Sequence, residues 1–240
     1  MKLQVVYEDG CLLAVDKPAG QLVIPGRGAE AGPVLVDAVS RHLGVKAFVV
    51  HRIDRETSGL VLFAKDAATH AALSKLFEKR RVRKSYLAVV SGTVPSAGRI
   101  TAPIREFGSG RMGVDPRGKD AETKYRPLRT WGDPPATLLE VEPRTGRRHQ
   151  IRVHLYSIGH PVLGDSQYGR ERPVGGGHGA AVLGALPFSS RGEGGRPRLM
   201  LHAYSLLLPP HALWGRRRLE FRAEPPPGFP APADGPAASN

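Results

Sequence analysis

A single cysteine, Cys11, excludes a disulfide framework and any metal site built on paired thiolates. It lies in the apolar run Cys-Leu-Leu-Ala-Val, so it reads as a small core residue of a protein kept in a reducing cytoplasm. No apolar stretch reaches transmembrane length and the N-terminus has no signal-peptide core, so no membrane partner is expected, an anionic membrane surface being the alternative that the basic charge leaves. No fixed-period repeat and no coiled-coil heptad appear, which leaves a monomer without an obligate protein partner as the default. Acidic residues are in deficit, 22 against 35 Lys and Arg, for a formal net charge of +13. That balance points to a polyanion, most simply nucleic acid held through phosphate contacts.

What is present is enough for a core. The chain has 240 residues, 40% of them hydrophobic, room for one large domain or two small ones. Leu3–Tyr7 and Leu12–Val15 read as strands split by the turn Glu8-Asp9-Gly10. Val34–Leu43 has apolar residues at helical spacing. A second helix follows Asp66, a good N-cap, with Ala68, Ala71, Ala72, Leu76 and Phe77 as its apolar stripe. Strands are expected at Ser85–Val90, Arg99–Ile104, Thr123–Leu128, Thr137–Glu142, Leu199–Leu208 and Arg218–Phe221, and a helix at Arg147–Ile158. Strands with helices inserted irregularly between them predict an α+β fold. Residues 173–196 read as a Gly-rich mobile insertion, and 223–240 as a Pro/Ala-rich disordered tail. The Gly-rich stretch 26–33 lacks dinucleotide-binding spacing.

The most informative string is His51-Arg52-Ile53-Asp54-Arg55-Glu56-Thr57-Ser58-Gly59-Leu60, set between the apolar runs Phe48–Val50 and Leu60–Phe63. Asp54 therefore stands at the joint between two core strands. A rigid carboxylate beside cations is held ionised, as a nucleophile or base requires. The same neighbours would also make an ordinary surface ion pair. Lys17-Pro18-Ala19-Gly20 is sufficient for a plain turn.

The whole string resembles the catalytic signature of the RluA family of RNA pseudouridine synthases, His-Arg-Leu-Asp-x-x-Thr-Ser-Gly-Leu, with Ile53 for Leu the one departure. Lys17-Pro18-x-Gly20 resembles the family's first motif. Lys84-Ser85-Tyr86-Leu87-Ala88 resembles its Lys-x-Tyr-x-Ala motif. Thr145-Gly146-Arg147-Arg148-His149-Gln150-Ile151-Arg152-Val153-His154-Leu155 resembles a further motif almost position for position. Gly159–Asp165 and Arg198–Ala203 continue the match, so the resemblance spans roughly residues 3–222.

The resemblance implies a pseudouridine synthase fold over residues 1–222: a mixed, mostly antiparallel central sheet with flanking helices and a catalytic cleft. It implies conversion of uridine to pseudouridine in ribosomal RNA or tRNA, with no cofactor and no metal. Asp54 matches the catalytic carboxylate, and attack at C1′, addition at C6 and proton removal from C2′ all remain open to it. Tyr86 matches the active-site tyrosine, which could stack on the uracil, and Arg152 the basic partner of the catalytic Asp. Arg52 and Arg55 are candidates for phosphate contact or for filling the gap of a flipped base. Arg147, Arg148, His149 and Gln150 are further RNA-binding candidates, with Arg148 and Arg152 on one helix face. With the match starting at about Leu3, the chain resembles the shorter members that lack an S4-type RNA-binding module.

Competing readings follow from the same residues. A non-catalytic RNA-binding or ribosome-assembly factor could keep the fold, though Asp54, Tyr86 and Arg152 are all in place. A glycoside hydrolase needs two carboxylates, and Asp54 has no convincing second. His51, His149 and His154 lack metal-ligand spacing and are expected to hold the motif loops by hydrogen bonds.

Overall fold

A computed structural model describes residues 3–26, 33–169 and 198–232. The insertion expected at 173–196 and most of the Gly-rich stretch 26–33 lie outside the described residues. Two compact units emerge, Met1–Lys84 with Ala203–Glu224, and Ser85–His202 with Pro225–Asn240. These boundaries were not marked by any composition shift in the sequence.

The first unit is built on β1 (Gln4–Glu8), β2 (Leu12–Lys17), β3 (Phe48–Val49), β4 (Ser58–Ala64), β11 (Leu201–Leu208, from Ala203 onward) and β12 (Leu219–Arg222). Strands run in the order β1-β2-β4-β11, with β12 on β11 and β3 on β4. The β1–β2 turn closes because Asp9 Oδ1 accepts the amides of Cys11 at 2.8 Å and Leu12 at 2.7 Å. β4 is buried along its whole length and accordingly reads as an unbroken apolar run. Leu60, Leu62, Leu12, Leu206, Leu208, Trp214 and Phe221 form one core cluster with Leu73.

Helix α1 (Leu35–Leu43) ends at Gly44 in the left-handed region, φ 69°. Helix α2 (Ala67–Glu78) is capped as expected, Asp66 Oδ1 accepting the Thr69 amide at 2.8 Å. Its buried face differs from the expected stripe. Thr69 and Leu73 are the buried residues, backed by Leu76 and Phe77, while Ala68 and Ala71 are exposed. Alanine fits either face of a helix, so its spacing carries little orientation.

The second unit holds β5 (Arg83–Ser91, from Ser85 onward), β6 (Gly98–Thr101), β9 (Glu122–Trp131) and β10 (Ala136–Pro143) in the order β5-β10-β9-β6. All three of these pairings are antiparallel. A separate hairpin, β7 (Ile104–Glu106) with β8 (Met112–Val114), interrupts what the sequence suggested was one strand at Arg99–Ile104. Ala102-Pro103 separates β6 from β7, and proline supplies no ladder N–H. Helix α3 is Gln150–Ser157, three residues shorter at its start than expected, because His149 sits in the left-handed region at φ 54°. Of the segment expected to be a disordered tail, Phe229 is 7% exposed and packs 5.9 Å from the His202 ring.

Candidate active site

On the first unit, residues 50–57 join β3 to β4 without regular structure, and the turn is closed by the Thr57 amide on the Asp54 carbonyl at 3.2 Å. Ile53, Thr57 and Ser58 are buried, Asp54 is half-buried, and Arg52, Arg55 and Glu56 are exposed. The loop is therefore held from below and open above.

Two side chains hold it, one fully buried and one half-buried. Lys17, the last residue of β2, is 0% exposed. Its Nζ donates to the carbonyls of Pro18 at 2.9 Å, Gln21 at 2.8 Å and Arg55 at 3.0 Å. The Arg55 carbonyl also accepts the Gly20 amide at 2.8 Å, and Arg55 Nε returns a bond to the Gly20 carbonyl at 3.1 Å. The turn 18–21 is thus stapled to the backbone next to Asp54. Burial pushes the Lys17 ammonium down to about 7, against the opposing pull of Glu56, Asp54 and Asp16. His51 Nε2 accepts the Leu62 amide at 3.0 Å, and its ring stacks on Phe77 at 4.8 Å. Burial, aided by Lys84, pushes this imidazole down to about 3. His51 is then neutral at pH 7, with its proton on Nδ1.

The second unit carries Tyr86 and Arg152. Tyr86 lies on β5, opposite Val141 of β10, and is half-buried. Arg152 on α3 is 1% exposed and forms a bidentate ion pair with Asp165, Nε to Oδ2 at 2.6 Å and Nη2 to Oδ1 at 2.8 Å. Tyr168 covers the guanidinium, 5.2 Å from ring centre to Cζ. Asp165 Oδ1 also accepts the amides of Gln167 at 2.9 Å and Tyr168 at 3.0 Å. Asp165 and Tyr168 were not singled out from the sequence, although Asp165 ends the Gly159–Asp165 motif. A Tyr168 hydrogen bond to His149 Nδ1 at 3.0 Å links His149 to the same cluster.

Two expected placements are corrected. Gln150 is 4% exposed and not available to RNA. Its Oε1 accepts from Thr145 Oγ1 at 2.6 Å and the Arg147 amide at 3.0 Å, and its Nε2 donates to the Glu122 carbonyl and Thr123 Oγ1, both at 2.9 Å. That exhausts an amide side chain and makes Gln150 the brace of the 145–147 loop. Arg148 does not share a helix face with Arg152. It precedes α3, is exposed, and pairs with Glu106 at 2.9 Å.

Arg147 stays at the surface, its Nε on the Asp120 carbonyl at 3.0 Å. Arg52 has no hydrogen-bond or ion-pair partner among the described residues. His154 is buried between Thr123 Oγ1 at 2.8 Å and the Ala102 carbonyl at 2.9 Å. All three motif histidines thus hold loops or strands. Among the described residues no group of three or more His, Cys, Asp or Glu could hold a metal ion. No described helix is long and apolar enough to cross a membrane.

With this geometry in place, likeness to known proteins becomes informative. The RNA pseudouridylate synthase family matches residues 11–157. A Nitrosomonas europaea protein named ribosomal large subunit pseudouridine synthase D is 38% identical over 218 residues, 88% of this chain and 59% of its own length. A Zymomonas mobilis protein of the same name is 37% identical, covering 93% of this chain and 69% of its own. The chain thus spans about three fifths of the Nitrosomonas protein's length. Among solved structures, human RNA pseudouridylate synthase domain containing 1 aligns over 94% of this chain and 84% of its own, with a TM-score of 0.71 and 26% identity. Human RNA pseudouridylate synthase domain containing 4 covers 93% of this chain and 88% of its own, with a TM-score of 0.68 and 29% identity. Motifs, fold and relatives agree: this chain belongs to the RNA pseudouridylate synthase family, on the RluA side that its signature resembles.

Proposed function

We propose that the chain is an isomerase that converts a uridine of large-subunit ribosomal RNA to pseudouridine, with Asp54 as the reacting carboxylate. The C1′–N1 bond breaks, the uracil turns in place, and a C1′–C5 bond forms. The proton lost from C5 balances the one gained at N1, so no co-reactant is consumed. The observation that carries this reading is the Asp54 loop. A half-buried carboxylate stands on a backbone pinned by Lys17 on one side and by His51 on the other. Such pre-organisation is what a carboxylate needs to meet a sugar or base carbon at bonding distance. On the family pattern, Tyr86 stacks on the extruded uracil and Arg152 is the catalytic cation, although its ion pair here is with Asp165. The Asp165 fork and the Tyr168 ring fix that guanidinium before substrate arrives. Arg52 is exposed on the same loop, which supports its candidacy for taking a phosphate or filling the gap of the flipped base. Ribosomal RNA is favoured over tRNA by the names of the relatives.

The test is base-resolved pseudouridine mapping of ribosomal RNA and tRNA from cells lacking the protein, rescued by wild type or Asp54→Asn. A large-subunit site lost on deletion and restored only by wild type is the expected result. Restoration by Asp54→Asn would remove Asp54 from the chemistry. A lost site in tRNA alone would move the substrate, and no lost site would favour a binding role.

A further inference from the structure

The connection between β11 and β12 is a rigid turn that carries Arg216, Arg217 and Arg218. Trp214, 3% exposed, anchors it. The indole stacks on His211 at 4.6 Å and donates Nε1–H to the Pro209 carbonyl at 3.0 Å. The His211 carbonyl accepts the amides of Trp214 at 3.2 Å and Arg216 at 2.8 Å, and Gly215 N–H donates to the Ala212 carbonyl at 3.1 Å. Gly215 and Arg216 both take left-handed backbone, φ 69° and 55°. A glycine or asparagine would occupy the second position at less strain, yet the chain has an arginine there.

All three guanidinium groups are exposed. The carboxylates of this end of the unit are already engaged. Asp9 takes Tyr7 Oη and the amides of Cys11 and Leu12, Glu8 takes His42 and Lys65, and Glu220 takes Arg222. Among the described residues the three arginines have no ion-pair partner.

The turn is also remote from Asp54. Along β2 and β4 the register runs from Lys17↔Gly59, beside the Asp54 loop, to Leu12↔Ala64. Cys11 Sγ meets the Leu213 carbonyl at 3.5 Å, which places the turn beyond the Leu12 end. The intervening strand length is roughly 17 Å.

We propose that Arg216, Arg217 and Arg218 form a second RNA contact that grips the phosphate backbone of a duplex flanking the target uridine. The proposal rests on the reading that the substrate is RNA. Guanidinium forks match phosphate oxygens. Three of them on a fixed backbone position an RNA helix and read no sequence. An anionic lipid surface fits less well, because Leu213 is the only exposed large apolar side chain on the turn.

The experiment uses the full chain and stem-loop RNAs with a uridine in the loop and stems of increasing length. Dissociation constants are measured against salt for wild type, for Arg216→Ala/Arg217→Ala/Arg218→Ala, and for the corresponding triple lysine variant. Wild-type affinity should step up once the stem extends beyond roughly 17 Å. The alanine variant should lack that step, bind long stems about tenfold more weakly, and show a salt slope smaller by about 3. The lysine variant should keep most of the step, which separates charge from misfolding. Equal binding by wild type and the alanine variant on long stems overturns the proposal, and so does an equal loss at every stem length. Loss confined to phosphatidylserine vesicles, with RNA binding intact, overturns it in favour of a membrane. If wild type forms no pseudouridine on any RNA, the proposed activity fails while the length dependence still tests this turn.

Discussion

Lys17 spends every ammonium proton on a backbone carbonyl, and one of those carbonyls belongs to the residue after Asp54. Replacing it with methionine keeps the volume and removes all three bonds. We expect Lys17→Met to lose about 1–2 kcal/mol in urea unfolding, because the carbonyls of Pro18 and Gln21 lose their Lys17 donor and that of Arg55 keeps the Gly20 amide. Turnover should fall more than substrate affinity, since a loosened loop misplaces the carboxylate. An unchanged turnover number in the folded variant would strip Lys17 of its positioning role. At this scale the candidate residues were legible wherever a motif names them. Asp54, Tyr86 and Arg152 stand out in the string itself. Their supports do not, because support is tertiary. Nothing local says that Arg152 will find its acceptor at Asp165, or that Gln150 will turn inward and exhaust its four hydrogen-bonding positions.

Gly59 of β4 takes φ 109°, and a Cβ there would run into the carbonyl of Ala203 in β11. The two strands approach closely beside the Asp54 loop, and only hydrogen fits between them. Gly59→Ala should cost about 3 kcal/mol or more, the top of the usual overpacking range, because the positive φ adds strain to the clash. Urea unfolding reads the loss, and a variant as stable as wild type would mean that the strands part easily. Most elements were legible because their periodicity and caps are local. The Asp66 cap of α2 and the unbroken apolar run of β4 are examples. The start of α3 was not, because Arg147-Arg148-His149 is compatible with a helix. The left-handed backbone at His149 and the Gln150 brace decide otherwise. The β7–β8 hairpin was missed for a similar reason, its strands being only three residues each.

Global stability inherits an acid limit from His51. Its ordinary pKa of 6.5 falls to about 3 in the folded chain. Between those values the unfolded chain binds a proton that the folded one refuses, so stability falls as pH drops from 6.5 toward 3. The slope is up to about 1.4 kcal/mol per pH unit. Urea midpoints at several pH values should show the gap between wild type and His51→Asn shrinking on acidification. Parallel curves would mean that the ring is not buried neutral. The net charge of +13 announced a polyanion from composition alone. Where the excess charge collects, as at Arg216–Arg218, follows only from the turn that displays it.

The order in which the chain visits its two units sets a schedule for synthesis. The first unit begins at the N-terminus but closes only with Ala203–Glu224, and its core needs Leu206, Leu208, Trp214 and Phe221. A nascent chain emerging from the ribosome carries Asp54 early, yet has no β11 to lay against Gly59 until the Ser85–His202 segment of the second unit has been made. The Asp54 loop therefore gains its full support only after most of the second unit has been synthesised. A chain released prematurely would carry the signature string without the scaffold behind it.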